Sequence, residues 1–377
     1  MSDATLAPGD RVQQYVVRGL LGEGAAAEVY RVDGDGQTFA LKLLRTTEPR
    51  RTLRMEREAA ALQRLAHPHV VRLREVVRKG ERLGLVLELV EGVDLHRLIE
   101  AYLPTMPQVD DLAGQLFDGL AALHAAGIVH RDLKPTNVLL HFDDDRIVLK
   151  ISDLGLARAE SDVVSPRMTR SGAALGTPRH MPPEQHRSAK SADHRSDVFA
   201  LGTVLYELLT GSVAFPGEYV VDIYEAANIG AYTPIRALRP ETPQRMVDAV
   251  DAAMKADADE RPENVEALAA LWWGSEDRVR AGCWSAEQLG TIRRRASTLA
   301  EAALARRRRT PVPPVEAPVI RSPSQRPTVP SNPADDAGSD AIELAWWTLG
   351  GAMAGGTAVA VIAAIGAAVV TLVWWLA

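Results

Sequence analysis

The sequence predicts an α+β protein in which a small strand-rich part precedes a larger helical part. Short apolar and β-branched runs separated by turn signals fill residues 12 to about 89, and apolar residues at helical spacing dominate from about 94 to 273. Strands grouped before helices are typical of the α+β class. A third, strongly apolar stretch lies near the end of the chain and predicts a separate element.

The strand-rich part is predicted to contain one helix. Tyr15–Val17, Glu28–Val32 and Thr38–Leu44 are predicted strands, and the D-G-D-G run at 33–36 predicts a hairpin turn between the last two. The segment Arg51–Leu65 places four apolar side chains on one face at helical spacing. Farther on, L-V-L-E-L-V-E-G at 85–92 predicts a buried strand that runs into a connector.

The clearest helices of the second part are Gln108–Ala126, Ser196–Thr210 and Gln244–Lys255. Gly211 directly follows the second of these, and glycine is the usual residue just past a helix end. These segments predict a mainly helical second part.

Three further segments follow residue 273. Residues 274–309 are predicted to form a helical basic extension that ends in four arginines, Arg306–Arg309, and residues 310–343 a Pro-rich disordered linker. Residues 346–375 form an apolar run with tryptophan pairs at both ends. From Trp347 to Trp374 a helix would run roughly 40 Å, enough to cross a hydrocarbon core of about 30 Å. The sequence therefore predicts a single transmembrane helix.

Composition excludes several classes of protein. The chain is 46% hydrophobic and 24% charged, which is ordinary for a globular protein, and its formal net charge of −6 gives no reason to expect a nucleic-acid partner. Cys283 is the single cysteine, so an internal disulfide and a multi-cysteine metal site are both excluded. Residues 1–10 contain no apolar run that could act as a signal peptide.

The strongest chemical signal is H-R-D-L-K-P-T-N at 130–137, followed sixteen residues after Asn137 by D-L-G at 153–155. Asp132 could accept a proton from an attacking hydroxyl group, and Lys134 could steady the charge on a moving phosphoryl group. Asn137 and Asp153 could supply hard oxygen ligands to Mg²⁺. An acid, a lysine, an amide and a second acid in this order are what phosphoryl transfer needs.

These residues resemble the catalytic loop of eukaryotic-type (Hanks-type) Ser/Thr protein kinases, and the resemblance covers roughly residues 12–273. It implies the bilobal protein-kinase fold, with a small β-rich N-lobe and a larger helical C-lobe, and it implies ATP and Mg²⁺ as cofactors. The linker and one C-terminal transmembrane helix would follow. Lys134 together with Thr177 is typical of the Ser/Thr class rather than the Tyr class.

The resemblance also implies a nucleotide site. The run 21–29 is similar to the family's glycine-rich loop, with alanine at 27 in place of its third glycine. Lys42 follows at the family's distance and is expected to pair with Glu58 rather than Glu56, and Leu87 is the implied gatekeeper. The full set of implied nucleotide-site residues is Leu21, Gly22, Glu23, Gly24, Ala27, Val29, Ala40, Lys42, Glu58, Glu88, Val90 and Leu139.

The run 176–184 resembles the end of a kinase activation segment. Glu184 is expected to pair with Arg261, and Asp197 is expected to anchor the backbone of the catalytic loop. His180 and Pro182 depart from the family's usual tyrosine and alanine, and both lie in the wall where substrate docks.

Arg131, beside the catalytic Asp132, suggests control by phosphorylation, because an arginine there can pair with a phosphate on the activation segment. Ser161, Ser165, Thr169 and Ser171 are candidate acceptors, and Thr169 and Ser171 lie nearest the position that such kinases use. We expect autophosphorylation between two copies of the chain.

Two other function classes compete with a protein kinase. A pseudokinase scaffold would be expected to have lost at least one of Lys42, Glu58, Asp132, Asn137 and Asp153, and all five are present. A small-molecule phosphotransferase of the antibiotic-modifying kind would lack the lysine at 134 and the G-T…P-P-E segment. A Ser/Thr kinase acting on protein substrates is therefore the favoured interpretation, with the scaffold as the alternative.

Location follows from the predicted membrane helix. An ATP-using domain precedes it and two residues follow Trp375, so we expect a single-pass, C-terminally anchored protein whose kinase domain faces the cytoplasm, at a bacterial inner membrane and with no extracellular sensor. Gly351 and Gly355 form a G-x-x-x-G spacing that would suit a homodimer. Arg306–Arg309 could contact anionic membrane lipid.

Overall fold

The computed structural model describes residues 5–24, 26–45, 47–153, 178–187, 193–274 and 282–309. Residues 1–311 group as one unit, and the second unit, 312–377, lies outside the described residues. The strands are β1 Arg11–Val12, β2 Tyr15–Glu23, β3 Ala27–Gly34, β4 Gln37–Leu44, β5 Leu73–Lys79, β6 Arg82–Glu88, β7 Gly92–Asp94, β8 Val138–Phe142 and β9 Ile147–Ile151. The helices are α1 Pro49–Arg64, α2 Leu95–Ala101, α3 Met106–Ala125, α4 Pro183–Arg187, α5 His194–Thr210, α6 Val220–Ile229, α7 Ile235–Leu238, α8 Gln244–Ala253, α9 Val265–Trp273 and α10 Ala286–Arg309.

The N-terminal lobe is an antiparallel sheet in the order β1-β2-β3-β4-β6-β5. The predicted hairpin turn joins β3 to β4, and Asp35 and Gly36 in it both have positive φ angles, 52° and 73°. Strand β4 lies between β3 and β6, so Lys42 is opposite Val29 on one side and Leu85 on the other. Lys42 is therefore a residue of an internal strand.

Helix α1 covers the part of this sheet formed by β5. It begins with Pro49 in its first turn, where a missing N–H costs no helical hydrogen bond, two residues before the predicted start. Met55, Ala59 and Leu62 are buried, as their helical spacing predicted. Those contacts fix α1 against the sheet.

A second small sheet carries the predicted chemistry. Its order is β7-β8-β9, all antiparallel, and α3 packs against β9. The β8–β9 hairpin joins the loop that contains Asp132 to the residues that end at Asp153. The hairpin therefore places both loops at the same end of this sheet.

The C-terminal lobe is built around α5, in which every residue from Ser196 to Leu209 is buried. The helix ends at Gly211, whose φ of 71° is the left-handed cap conformation that glycine adopts readily. Helices α3 and α8 pack against α5. The predicted helical character of this lobe is confirmed.

The basic extension contains a helix that joins the same core. Trp284, Leu289, Ile292 and Ala296 are buried in the cluster that holds the C-lobe together, and α10 packs against α2 and β7. Within the described ranges no helix is both long and apolar enough to cross a bilayer. The predicted linker at 310–343 and membrane helix at 346–375 lie outside those ranges.

Candidate active site

A buried carboxylate binds the backbone of the catalytic loop. Asp197, in the first turn of α5, accepts hydrogen bonds from the backbone N–H of His130 at 2.7 Å and of Arg131 at 2.8 Å. Its Oδ2 atom also lies 2.9 Å from Nε2 of His124. The N-terminal turn of a helix favours negative charge. Asp197 thus anchors the loop backbone as predicted.

Asp132 is oriented by the two residues predicted to act beside it. Its Oδ2 atom accepts hydrogen bonds from Nζ of Lys134 at 2.8 Å and from Nδ2 of Asn137 at 3.1 Å. Nδ2 of Asn137 also donates to the backbone carbonyl of Asp132 at 2.8 Å. The acid, the lysine and the amide therefore form one hydrogen-bonded group.

The loop is tied directly to the chain before Asp153. Ser152 donates twice to the carbonyl of Asn137, from its backbone N–H at 2.8 Å and from its hydroxyl at 2.9 Å. Nδ1 of His130 accepts from the backbone N–H of Asp132 at 3.2 Å, so Nε2 carries the hydrogen and donates to the carbonyl of Ser152 at 2.9 Å. His130 has no exposed surface, so its ring acts as a rigid spacer between the two loops.

Asp153 forms an ion pair with Lys42, whose Nζ lies 2.8 Å from Oδ1. Burial acts to raise the pKa of Asp153, but the charge and hydrogen bond of Lys42 outweigh it and hold the carboxyl pKa below its usual value. Asp153 and Arg131 both have left-handed backbone, with φ of 54° and 62°. Non-glycine residues in this conformation cluster at functional sites.

The expected pairing of Lys42 with Glu58 is not the one that this structure forms. Lys42 contacts Asp153 instead, and Oε1 of Glu58 lies 3.6 Å from Nη1 of Arg131. Glu56 forms an ion pair with Arg78 and does not contact Lys42, as predicted. Glu58 therefore remains the acid of α1 that faces the catalytic loop, but its partner here is Arg131.

The other predicted nucleotide-site residues lie on the strands around the cleft. Leu21, Gly22 and Glu23 end β2, Ala27 and Val29 begin β3, Ala40 is on β4 and Leu139 is on β8, while Gly24 closes the turn after β2. Glu88 ends β6 and is ion-paired with Lys150 at 2.9 Å, and Val90 follows it in the connector to β7.

The predicted gatekeeper Leu87 lines a cavity of about 330 Å³, its open mouth included. Lys42 and Asp153 form its polar edge. The remaining lining residues are Leu62, Val71, Leu85, Ile151 and Ser152. Helix α1 contributes Leu62 to its apolar wall.

Asn137 and Asp153 fit the oxygen ligands that Mg²⁺ requires. Both hydrogens of the Asn137 amide face Asp132, which leaves the amide oxygen as an acceptor that makes no hydrogen bond within the described residues. Asp153 is ionised at neutral pH. Mg²⁺ is commonly bound by one or two such groups with substrate phosphates and water completing its shell, so two protein ligands suffice.

The predicted Glu184–Arg261 pair is present, with Arg261 buried and Glu184 partly buried. Nη1 and Nη2 of Arg261 lie 2.8 Å from Oε1 and Oε2 of Glu184, a bidentate arrangement. Burial acts to raise the pKa of Glu184, but Arg261 outweighs it and lowers that pKa below its usual value. Thr169, Ser171 and Thr177, predicted to be regulatory, lie outside the described residues.

Sequence reasoning missed a second polar cluster beside the catalytic loop. His180 contacts Glu207 of α5, which in turn contacts His96 of α2. The available signal was a glutamate inside α5, where all the neighbouring residues are buried. A charged side chain in such a position is almost always paired or functional.

A strand-rich lobe, a helical lobe and a linked acid–lysine–amide loop define a class of bilobal phosphotransferases. The family model described as the protein kinase domain matches residues 15–273. The chain belongs to the protein kinase family.

Curated relatives are bacterial Ser/Thr kinases. The chain is 35% identical over 269 residues to the serine/threonine-protein kinase PkaA of Streptomyces coelicolor, covering 66% of this chain and 48% of PkaA. It is 34% identical over 300 residues to the DNA damage-responsive serine/threonine-protein kinase RqkA of Deinococcus radiodurans, covering 76% of this chain and 43% of RqkA. The chain thus spans about half the length of the curated relatives it matches.

Solved structures support the same fold. The crystal structure of Rad53 residues 1–466 in complex with AMP-PNP is 27% identical, with a TM-score of 0.57 over 69% of this chain and 65% of that one. The kinase domain of PknI from Mycobacterium tuberculosis is 22% identical, with a TM-score of 0.56 over 71% of this chain and 98% of that domain. The likeness to PknI concerns the fold alone.

Proposed function

We propose that this chain is a Ser/Thr protein kinase that transfers the γ-phosphate of ATP to Ser or Thr hydroxyl groups of proteins. The observation that carries the proposal is the linked group of Asp132, Lys134 and Asn137, tied through Ser152 to Asp153. The Ser/Thr kinase names of the bacterial relatives support the same activity.

Each polar residue has a task in that reaction. Asp132 orients the substrate hydroxyl and accepts its proton, with Lys134 and Asn137 holding its carboxylate in place. Lys134 adds positive charge where the phosphoryl group moves, and Lys42 contacts the nonreacting phosphates. Asn137 and Asp153 would hold Mg²⁺, which would neutralise phosphate charge. Catalysis then consists mainly of positioning and charge stabilisation.

Replacing Asp132 with Asn tests the proposal. The amide keeps the shape of the side chain but cannot accept the proton, and general-base catalysis typically contributes about 10²- to 10⁴-fold in rate. We expect phosphate transfer from labelled ATP to fall by at least about 100-fold while nucleotide affinity changes little. The assay uses a fragment of the chain that ends at Arg309, so that α10 is retained. Turnover at the parent rate in this variant would refute the assigned role, and absence of any transfer by the parent chain would favour a scaffold.

We also propose control by phosphorylation of Thr169 or Ser171 between two copies of the chain. The support lies at Arg131, which contacts Glu58 at 3.6 Å. A phosphate on the activation segment competes for this arginine, and its loss leaves Glu58 able to approach Lys42. We expect the Thr169→Ala/Ser171→Ala variant to lose both its phosphopeptides and most of its activity. Full activity with unchanged phosphopeptides would show that other residues control the enzyme.

A membrane anchor at 346–375 is the proposed location signal, with the kinase on the cytoplasmic side. Its length, its lack of charge and the tryptophan pairs at its ends support it. The G-x-x-x-G spacing at 351–355 supports a homodimer, and Arg306–Arg309 support contact with anionic lipid.

A further inference from the structure

The two ends of the glycine-rich loop differ in how they join the N-terminal sheet. Strand β3, which leaves the loop, begins at Ala27, and this alanine is buried in one cluster with Leu44 and Met55. Strand β2, which enters the loop, pairs with β3 through two register shifts, and its last residue, Glu23, is exposed. The loop therefore has one end anchored in the core and one end on the surface.

The surface end places two acids opposite each other. Glu23 and Glu28 are direct partners in the β2–β3 register, and like charges in such a pair are destabilising. Glu28 is buried, and its Oε2 atom accepts hydrogen bonds from Arg82 at 2.7 Å and from Tyr30 at 3.1 Å. Burial acts to raise the pKa of Glu28, but Arg82 and Tyr30 outweigh it and hold that pKa below its usual value. Glu28 is therefore a fixed negative charge at the base of the loop.

Arg45, directly after β4, contacts both acids and the loop backbone. Its Nη2 atom contacts the carboxylate of Glu23 and lies 3.2 Å from Oε1 of Glu28. Its Nε atom donates to the carbonyl of Gly24 at 3.2 Å, and its backbone N–H donates to the carbonyl of Ala26 at 2.9 Å. One residue thus bridges the two acids and holds two carbonyls of the loop.

Those contacts bear on the part of the nucleotide that the loop would hold. Backbone N–H groups of a glycine-rich loop contact the phosphates of ATP, so the orientation of its peptide units sets phosphate affinity. The N–H of a trans peptide points opposite its carbonyl, and a bound carbonyl therefore fixes the direction of the N–H in the same unit. Adenosine has no phosphate, so its binding does not depend on these N–H groups.

We propose that Arg45 is a positioning residue that holds the glycine-rich loop in the shape that binds the phosphates of ATP. The proposal rests on the kinase activity proposed above. Arg45 acts through the loop, because it replaces the repulsion between Glu23 and Glu28 with attraction to a shared guanidinium group. Without that group the two acids repel, the surface end of the loop moves away from β3, and only the phosphates lose their contacts.

Two ligands, AMP-PNP with Mg²⁺ and adenosine, separate this role from a general loss of structure. Titration calorimetry on the full chain gives the ratio of the adenosine Kd to the AMP-PNP Kd. We expect Arg45→Ala to lower this ratio about tenfold, the effect of one hydrogen bond to a charged group, by weakening AMP-PNP alone. Arg74→Ala is the matched control and should keep the parent ratio. Arg74 is 42% exposed where Arg45 is 40% exposed, and it pairs with Asp35 in the β3–β4 turn.

Glu23→Gln supplies a second test, because its effect should depend on Arg45. In the Arg45→Ala background it removes the repulsion from Glu28 and should raise the ratio about threefold. In the parent background it removes a partner of Arg45 and should not raise the ratio. Such a dependence is the signature of coupled residues. An equal rise in both backgrounds would show that the charges act on the phosphates independently, and it would overturn the proposal.

Other results would also overturn it: a parent ratio in Arg45→Ala, or AMP-PNP and adenosine weakened there by the same factor. If Arg45→Ala does not fold, Arg45→Lys keeps the charge but has a single nitrogen in place of Nε and Nη2, and the ratio should fall partway. A parent ratio in Arg45→Lys would show that charge alone suffices, which contradicts a positioning role. A parent chain that binds neither ligand would instead refute the kinase activity itself.

Discussion

Arg261 is a buried cation that links several elements of the C-lobe. None of its side chain is exposed, and besides Glu184 it donates to the backbone carbonyls of Lys255, Ala256 and Arg195. Its guanidinium also lies 4.8 Å from the centre of the Phe199 ring. One side chain therefore joins α4, α5 and the segment before α9.

We expect Arg261→Ala to lower the free energy of unfolding by about 3–5 kcal/mol, because it leaves a partly buried carboxylate without its charged partner and removes the guanidinium that donates to three backbone carbonyls. Urea unfolding followed by circular dichroism measures the change. Arg18→Ala is the control: Arg18 also pairs with an acid, Asp33, but 56% of its side chain is exposed, and little should change. Equal effects of the two substitutions would contradict the assignment.

The same pair predicts a pH dependence. Because the pKa of Glu184 is lower in the folded protein than its ordinary value of 4.5, its stabilisation is fully present above about pH 4.5 and is lost as the pH falls through the folded pKa. The parent should lose stability more steeply than Arg261→Ala over that acidic range. Parallel curves for the two proteins would exclude a contribution from Glu184.

The site residues differ in how far sequence could predict them. Asp197, Glu184 and Arg261 take positions that short motifs fix, and their contacts follow expectation. The partner of Lys42 differs from the expected one. Which acid pairs with its ammonium group, Glu58 or Asp153, depends on the position of helix α1, and sequence spacing does not give that position. The contact between His180 and Glu207 depends on how α5 packs beside the catalytic loop, which no spacing reveals.

At the scale of single elements, α10 and the turn before it are part of the kinase lobe. Nε1 of Trp284 donates to Oδ2 of Asp111 on α3 at 3.0 Å, and Gln108 donates to the carbonyl of Cys283 at 3.0 Å. Leu289 and Ile292 continue the buried face along the helix. A fragment that stops at Trp273, where the family match ends, lacks all of these contacts.

We expect Trp284→Ala to reduce the free energy of unfolding by about 3–5 kcal/mol, since it removes a large buried ring and leaves a cavity. Leu299→Ala, on the same helix but 36% exposed, should change it by no more than about 0.5 kcal/mol. Chemical denaturation of the chain ending at Arg309 gives both values. A Trp284 variant as stable as its parent would show that the extension is not part of the folded lobe.

Strands and helices with strong periodicity were predicted to within a few residues, because a buried face at a fixed spacing is a local signal. Helix α1 and helix α5 are examples, at Pro49–Arg64 and His194–Thr210. The docking of α10 was not predicted, since its apolar residues are sparse among arginines and alanines and its partners on α3 lie more than 170 residues earlier. Only the assembled lobe shows which of its faces is buried.

At the scale of the whole molecule, the proposed anchor predicts how the kinase is distributed in a cell. Deleting residues 346–377 should move the protein from the membrane fraction to the soluble fraction, because the apolar run is the only such stretch in the sequence. The rate at which the truncated protein phosphorylates a soluble peptide should equal that of the parent, since the catalytic residues precede the deletion. Fractionation and a peptide assay measure both, and a deleted protein still found in membranes would contradict the anchor.

A homodimer through the same segment predicts a separate effect. Gly351→Leu should weaken a membrane-dimerisation reporter and slow autophosphorylation, because a large side chain keeps two helices apart. Ala360→Leu serves as the control, because a residue nine positions after Gly351 falls on the opposite side of a helix. A reporter signal that is unchanged by Gly351→Leu would remove the homodimer from the proposal.

Helix α5 carries two carboxylates with unrelated contacts. Asp197 holds the catalytic loop, and Glu207, ten positions later, lies 3.6 Å from Nε2 of His180. One inserted or deleted residue between them would rotate one carboxylate by about 100° relative to the other and shift it by about 1.5 Å. Natural variants of this kinase should therefore accept insertions in the surface loops, yet keep the number of residues between these two acids constant, even where the side chains in between differ.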